Sequence, residues 1–255
     1  MNDRFNRTEQ LIGKESLARL KHARVAVFGL GAVGSYAVEA LARAGVGHLR
    51  LVDCDCVRPS NINRQLYALE STLNKPKTEV ARARVLDINP DCTVEALQVF
   101  AAKSTLPKLL AKPLDAVVDA IDSVSPKVEL IAAATRCGIP VVSSMGAATR
   151  MDPTAIRLGD ISETDVCPLA RFVRKRLRRN GIASGVRCIF SIEDPRNKSA
   201  PVGKEENEEP SFSQGRKRRP IGSLSYITGI FGLLAASEVI KMILNKSQSL
   251  RTEKG

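Results

Sequence analysis

The chain has 255 residues, enough for one large α/β domain and too short for two full domains with a long linker. Aromatic residues make up 4 % and Trp is absent, which argues against a base-stacking surface of the RNA-recognition-motif or OB type. A net charge of +12 favours polyanionic partners: nucleic acid, nucleotide phosphates or an anionic membrane face.

The start, MNDRFNRTEQLIG, lacks the apolar run of a secretory signal, so a cytoplasmic chain with reduced thiols is expected. Residues 9–21 read as one amphipathic helix with Leu11, Ile12, Leu17 and Leu20 apolar. VAVF at 25–28 is a buried strand ending at Gly29, and SYAVEALARAG a helix closed by Gly45. HLRLVD at 48–53 is a second strand, followed by a polar loop to residue 75. PKTEVARARVLDINP is helical until Asn89-Pro90 stops it. CTVEALQVF is a third strand and LDAVVDAID, 114–122, a fourth. KVELIAAATRCG is a helix and IPVVSSMG a fifth strand. This alternation predicts an α/β, Rossmann-like, doubly wound and mainly parallel sheet.

Beyond residue 150 the pattern becomes mixed. DPTAIRLGDI reads as a strand and VRCIFSI as another. Between them, PLARFVRKRLRRN (168–180) reads as a helix with Leu169, Phe172, Val173 and Leu177 on one face. Arg171, Arg174, Lys175, Arg176, Arg178 and Arg179 cover the rest. Residues 194–220 are rich in Pro, Gly, Ser and charge and read as a mobile loop with a basic end, RKRR at 216–219. Residues 224–244 are mostly apolar. Glu238 and Lys241 inside that run favour a helix packed on the domain over a membrane span, with peripheral membrane anchoring as the minority reading. The expected organisation is one domain over 1–255: a nucleotide-binding core over 1–150 and a C-terminal part over 151–250. Six Cys contain no CxxC pair, which argues against a structural zinc site.

The chemistry concentrates in five places. Gly29, Gly31 and Gly34 lie between a strand and a helix, where backbone N–H groups and the helix N-terminus make a phosphate site. Asp53 ends the next strand, where an acid meets ribose hydroxyls. DCDCVRPSNINRQ then offers Asp55, Ser60, Asn61, Asn63 and Arg64, and Lys77 opens the following helix. Asp122, read at the end of the fourth strand, suits Mg²⁺ against phosphate oxygens. His22 and His48 both precede strands, away from this end, so hydride transfer with a His proton donor fits poorly. A triphosphate suits the loop better than a nicotinamide.

GLGAVG, VDCDCV, SNINRQ, KPK and DAID in this order resemble the adenylating superfamily of E1-like ubiquitin activators and the bacterial molybdopterin- and thiamine-pathway activators. The match runs over residues 4–150. The resemblance implies ATP and Mg²⁺ as cofactors and adenylation of a carboxylate. It implies Asp53 on the ribose, Asn61, Arg64 and Lys77 on the phosphates, and Asp122 on Mg²⁺ and the reacting centre. Arg64, Lys77 and Asp122 would be catalytic; Asp55 and Ser60 would complete the nucleotide set. Arg7 matches an N-terminal phosphate-binding Arg, and a homodimer is implied in which Arg64 reaches the partner's ATP site. Ala32 stands where the usual loop has Gly.

Nearly the whole chain, through CPLARFVRKRLRR, RCIFSIED and GSLSYITGIFGLLAASEVI, further resembles the bacterial tRNA threonylcarbamoyladenosine dehydratases. That implies a tRNA substrate whose threonylcarbamoyl carboxylate is activated by ATP and closed into a ring with net loss of water. Arg174, Lys175, Arg178, Arg179 and the RKRR segment would then hold tRNA phosphates. The competing expectation is an activator of a small sulfur-carrier protein, for which Cys167 and Cys188 lie in the relevant region. A sulfur-transfer protein partner stays open. Cys188, inside a strand pattern, reads as core.

Overall fold

The computed structural model describes residues 3–195 and 221–252. Two short helices open it, α1 (Asn6–Ile12) and α2 (Lys14–His22). The single helix expected over 9–21 is broken at Gly13, whose φ of +83° lies outside the helical region. Leu11 consequently points to solvent, while Leu17 and Leu20 enter the core.

Seven strands follow: β1 (Arg24–Phe28), β2 (His48–Asp53), β3 (Thr93–Gln98), β4 (Ala116–Asp119), β5 (Val141–Ser144), β6 (Ile156–Asp160) and β7 (Arg187–Ser191). They form one sheet in the order β3-β2-β1-β4-β5-β7-β6. All neighbours are parallel except β6, which runs antiparallel to β7. The remaining helices are α3 (Gly34–Ala44), α4 (Lys77–Ile88), α5 (Leu106–Leu109), α6 (Val124–Arg136), α7 (Pro168–Arg179) and α8 (Ser225–Thr252).

The central strands β1 and β4 are almost wholly apolar and buried because helices cover both faces there. Val25 and Val27 of β1 point to one side, into a cluster with Val38 and Leu41 of α3, Val85 of α4 and Phe231 of α8. Ala26 and Phe28 point to the other, towards Leu106, Leu130, Ile131 and Leu177 from α5, α6 and α7. This period of two within one strand specifies the sandwich of helices around the sheet.

The chain order reverses between β1 and β4. Carboxyl ends of strands at such a switch point open a crevice, because the connections leave in opposite directions. Most of what was expected to bind nucleotide lies along that edge.

Three local readings shift. β4 ends at Asp119, so Asp122 sits three residues beyond it, in the turn leading to α6. Helix α6 begins at Val124, before Pro126, which the first turn of a helix tolerates. Phe172 of α7 is half-exposed instead of joining Val173 and Leu177 in the core.

Helix α8 is long and apolar enough to cross a membrane by length and composition. Its apolar face is otherwise engaged: Ile227, Phe231, Ala235, Ala236 and Val239 are buried in the domain core. Glu238 is almost buried and meets Arg187 of β7 at 3.1 Å, while Lys241 is exposed. The basic segment 216–219 and most of the loop expected over 194–220 lie outside the described residues.

Candidate nucleotide site

The turn after β1 is built by steric exclusion. Gly29 has φ +85°, and a Cβ there would lie 2.7 Å from the Ala120 carbonyl oxygen. Gly34, the first residue of α3, faces the Gly29 carbonyl so closely that a Cβ would lie 1.7 Å from it. Only two hydrogens let these backbones meet. Gly31 is less constrained, with the Gln65 side chain in ordinary contact. That explains why Ala32, next to it, is tolerated: the close approaches fall on Gly29 and Gly34.

Asp53 locks the turn to β2. Its Oδ2 accepts from Leu30 N–H at 2.6 Å and its Oδ1 from Asp55 N–H at 2.8 Å. Burial pushes this carboxyl up from the ordinary range, against Lys77 and the two backbone donors. Lys77 is itself buried, and its Nζ donates to Asp55 Oδ2 at 3.1 Å. Burial opposes its charge, but Asp53, Asp55 and Asp122 together push its pKa above the usual lysine value. Lys77 is therefore a fixed cation among three carboxylates at the sheet edge.

The loop after β2 docks on the same turn. Ser35 Oγ accepts from Leu66 N–H at 3.2 Å, and the buried Gln65 lies against Gly31. Asn61 Oδ1 accepts from Arg58 N–H, closing a short 3-10 turn over Pro59–Asn61. Arg64 Nη1 donates to the Ser60 carbonyl and to Asn63 Oδ1, both at 2.8 Å. Arg64 thus stands one residue from a side chain that touches its own chain's glycine turn. Its guanidinium is held by its own loop, at Ser60 and Asn63, and the reach into a partner's ATP site stays what the resemblance implies.

Arg7 is not brought there. Phe5 packs against Gly45, at the far end of α3, and Arg4 donates to the Ile88 carbonyl at the far end of α4. Eleven residues of α3 separate that end from the turn, a rise of about 16 Å. Arg7 is exposed on α1, at the opposite edge of the sheet from the glycines.

Asp122 is exposed in the turn that touches Gly29, so glycine turn, Asp53, Lys77 and Asp122 share one edge, with the Arg64 loop docked beside it through Gln65. Asp53, Cys54 and Asp55 also cluster closely enough to hold a metal ion. Their oxygens are already committed to backbone N–H groups and to Lys77, which fits them poorly for that role.

Sequence reasoning missed a group beneath this edge. Lys127 of α6 is fully buried against Asp119 at the end of β4 and Ser143 of β5. The signal was a Lys on an otherwise apolar helix face, eight residues after a strand-ending Asp.

The ThiF family model matches residues 5–254. The chain belongs to the ThiF family. Among curated ThiF-related proteins, the tRNA threonylcarbamoyladenosine dehydratase of Bacillus subtilis is 42 % identical over 253 residues, covering 99 % of each chain. The solved tRNA N6-threonylcarbamoyladenosine dehydratase of Escherichia coli in complex with ATP superposes with a TM-score of 0.86 at 34 % identity, covering 97 % of this chain and 96 % of that one. Its AMP complex gives 0.84, with the same identity and coverage.

The thiols of this ThiF member are mostly screened. Burial, Asp55 and Asp53 push Cys54 up to about 12, and burial raises Cys188 further. Cys137 is exposed. Alkylation at pH 8 followed by peptide mass analysis should modify Cys137 first and leave Cys54 and Cys188 nearly untouched, since the thiolate is the nucleophile. Rapid modification of Cys188 would revive thioester or persulfide chemistry.

Proposed function

We propose that this chain is an ATP-dependent tRNA threonylcarbamoyladenosine dehydratase. The observation that carries the reading is the single edge on which the glycine turn, Asp53, Lys77 and Asp122 meet, in a chain matched end to end by relatives of that name. The adenosine would sit over β2, its ribose on Asp53 and its phosphates along the N-terminus of α3 towards Lys77, Asn61 and Arg64, with Asp55 and Ser60 nearby.

The chemistry suits such a site. A carboxylate has a pKa of about 4, so it attacks the α-phosphorus as an anion and needs no general base. The bond from the α-phosphorus to the bridging oxygen breaks and pyrophosphate leaves. A nucleophile of the carbamoyl group then attacks the acyl carbon, closing the ring; AMP departs with one carboxylate oxygen, and the carbamoyl group gives up an N–H proton to solvent. That transfer accounts for the net loss of water. The protein has to place two anions together and neutralise them. Lys77 and Arg64 are outnumbered by Asp53, Asp55 and Asp122, so a triphosphate here calls for a further cation. Asp122, exposed and facing the turn, is the residue that would hold Mg²⁺, a hard ion that takes carboxylate and phosphate oxygens. Bound there, the ion would screen the phosphate charge.

The exposed side chains of α7 supply the surface for tRNA: Lys175, Arg178 and Arg179. Arg174 is different. It is half-buried and donates to the carbonyl and hydroxyl of Thr164, so it braces the loop before α7. Replacing Lys175, Arg178 and Arg179 by Gln should lower tRNA affinity and flatten the salt dependence by roughly 0.9 in slope per lost phosphate contact, leaving ATP affinity alone. Unchanged tRNA affinity would reduce this helix to a solvated basic face. A homodimer, with Arg64 reaching the partner's ATP site, remains part of the reading. Mass analysis of tRNA nucleosides after incubation with ATP tests the function directly. Loss of about 18 Da from threonylcarbamoyladenosine is the expected result, a mass that follows from water itself. Adenylation of a sulfur-carrier protein in its place would support the rival activator.

A further inference from the structure

We propose that the buried cluster of Asp119, Lys127 and Ser143 is a positioning device that holds the turn bearing Asp122, and that it acts on catalysis more than on stability. This rests on Asp122 acting at the reacting phosphate.

The cluster is complete. Lys127 and Asp119 side chains are both 0 % exposed. The three ammonium hydrogens have three acceptors: Asp119 Oδ2 at 2.6 Å, the Ser144 carbonyl at 2.9 Å and Ser143 Oγ at 3.4 Å. Ser143 Oγ–H donates back to Asp119 Oδ2 at 2.6 Å. The other oxygen, Asp119 Oδ1, accepts from Ile121 N–H at 3.1 Å. One carboxylate therefore ties the end of β4 to β5, to α6 and to the turn ahead of Asp122.

The turn is pinned from its other side by the nucleotide loop. Ala120 N–H donates to the Phe28 carbonyl at 2.8 Å, and the Ala120 carbonyl is the group that excludes a Cβ at Gly29. Between that contact and α6, the Asp119–Ile121 bond ties the peptide leading into Asp122 to the end of β4. Slackening it would move Asp122 relative to phosphates bound on the glycine turn.

A buried ion pair is a poor way to gain stability. Removing both charges from water costs about as much as their attraction returns, and apolar replacements are often neutral or stabilising. An apolar trio in these positions would fill the space between β4, β5 and α6 with apolar side chains and leave the Ser144 carbonyl without its ammonium donor. It would offer no acceptor to Ile121 N–H. The function left to the charged version is geometric: the ammonium fixes the carboxylate, and the carboxylate fixes the turn.

The test compares two variants of the full chain. Asp119→Leu with Lys127→Met and Ser143→Ala removes the whole cluster without stranding a charge. Asp119→Asn with Lys127→Met is also uncharged, but keeps an oxygen for Ile121 N–H. Thermal melting, ATP affinity, turnover of modified tRNA and amide hydrogen exchange are measured for both. The triple variant should melt near the parent temperature and bind ATP with little change. Its turnover should fall about 100-fold, the scale of an ångström-sized misplacement. Amides in the turn 120–123 should exchange faster while those of β1 and β5 stay protected. The Asn-containing variant should recover most of the turnover. Normal turnover and protection in the triple variant would overturn the proposal, as would activity losses in both variants that simply track melting. If the parent converts no tRNA, the functional reading fails by itself, and the exchange pattern still decides whether the cluster holds the turn.

Discussion

Replacing Asp122 by Ala is expected to lower turnover of threonylcarbamoyladenosine in tRNA by roughly 100- to 1,000-fold, the usual scale for losing one preorganised electrostatic group. The fold should survive. Asp122 is exposed in a turn beyond β4, and surface substitutions of that kind stay within about 0.5 kcal/mol. ATP affinity should change less than turnover, because on the proposed reading the glycine turn, Asp53 and Lys77 would still hold the nucleotide. The loss would then lie in kcat, the signature of an interaction made mainly in the transition state. Single-turnover conversion of tRNA, beside a melting curve and an ATP titration, separates these terms. Turnover equal to the parent would remove Asp122 from the reacting centre.

Gly34→Ala should do the opposite and destroy the site from below. The new methyl would lie 1.7 Å from the Gly29 carbonyl oxygen, so one backbone must move. Gly29 cannot retreat, because the Ala120 carbonyl stands behind it. The start of α3 must yield, carrying away the N–H groups that receive phosphate. Overpacking of this kind costs about 1–3 kcal/mol, and here it falls wholly on the nucleotide loop. Loss of measurable ATP binding with a lowered melting temperature is the expected result. Ala32→Gly is the control: it removes a methyl and adds no atom to the turn, and ATP binding should be retained. Normal ATP binding by the Gly34→Ala variant would show that the turn is not the phosphate site.

The inner strands were legible as short apolar runs rich in β-branched residues between turn signals, and most helices by the period of one buried face. VAVF ahead of Gly29 is such a run, and the strand formed where it was read. The break at Gly13, the early end of β4 and the outward turn of Phe172 were not legible. Each depends on what lies against the segment, which periodicity does not encode. The site was half legible. Asp53, Lys77 and Asp122 could be placed by their order after the glycines, since strand ends at a switch point converge. Arg64 and Arg7 could not be assigned to ends of the molecule. Arg64 follows a loop that folds back on its own chain, and Arg7 follows Phe5 to the far end of α3.

Sequence by itself determined the fold class and the kinship, because these reside in local patterns and in the order of motifs. Tertiary structure alone decided which groups share charge and space. It joined Asp119, Lys127 and Ser143, from three elements, into one buried cluster. It took Arg174 from the basic face to brace Thr164, and it set Gly34 against Gly29. The physical reason is range. Periodicity and turn chemistry act over a few residues, whereas desolvation, ion pairing and steric exclusion depend on atoms that the folded chain brings together from far apart.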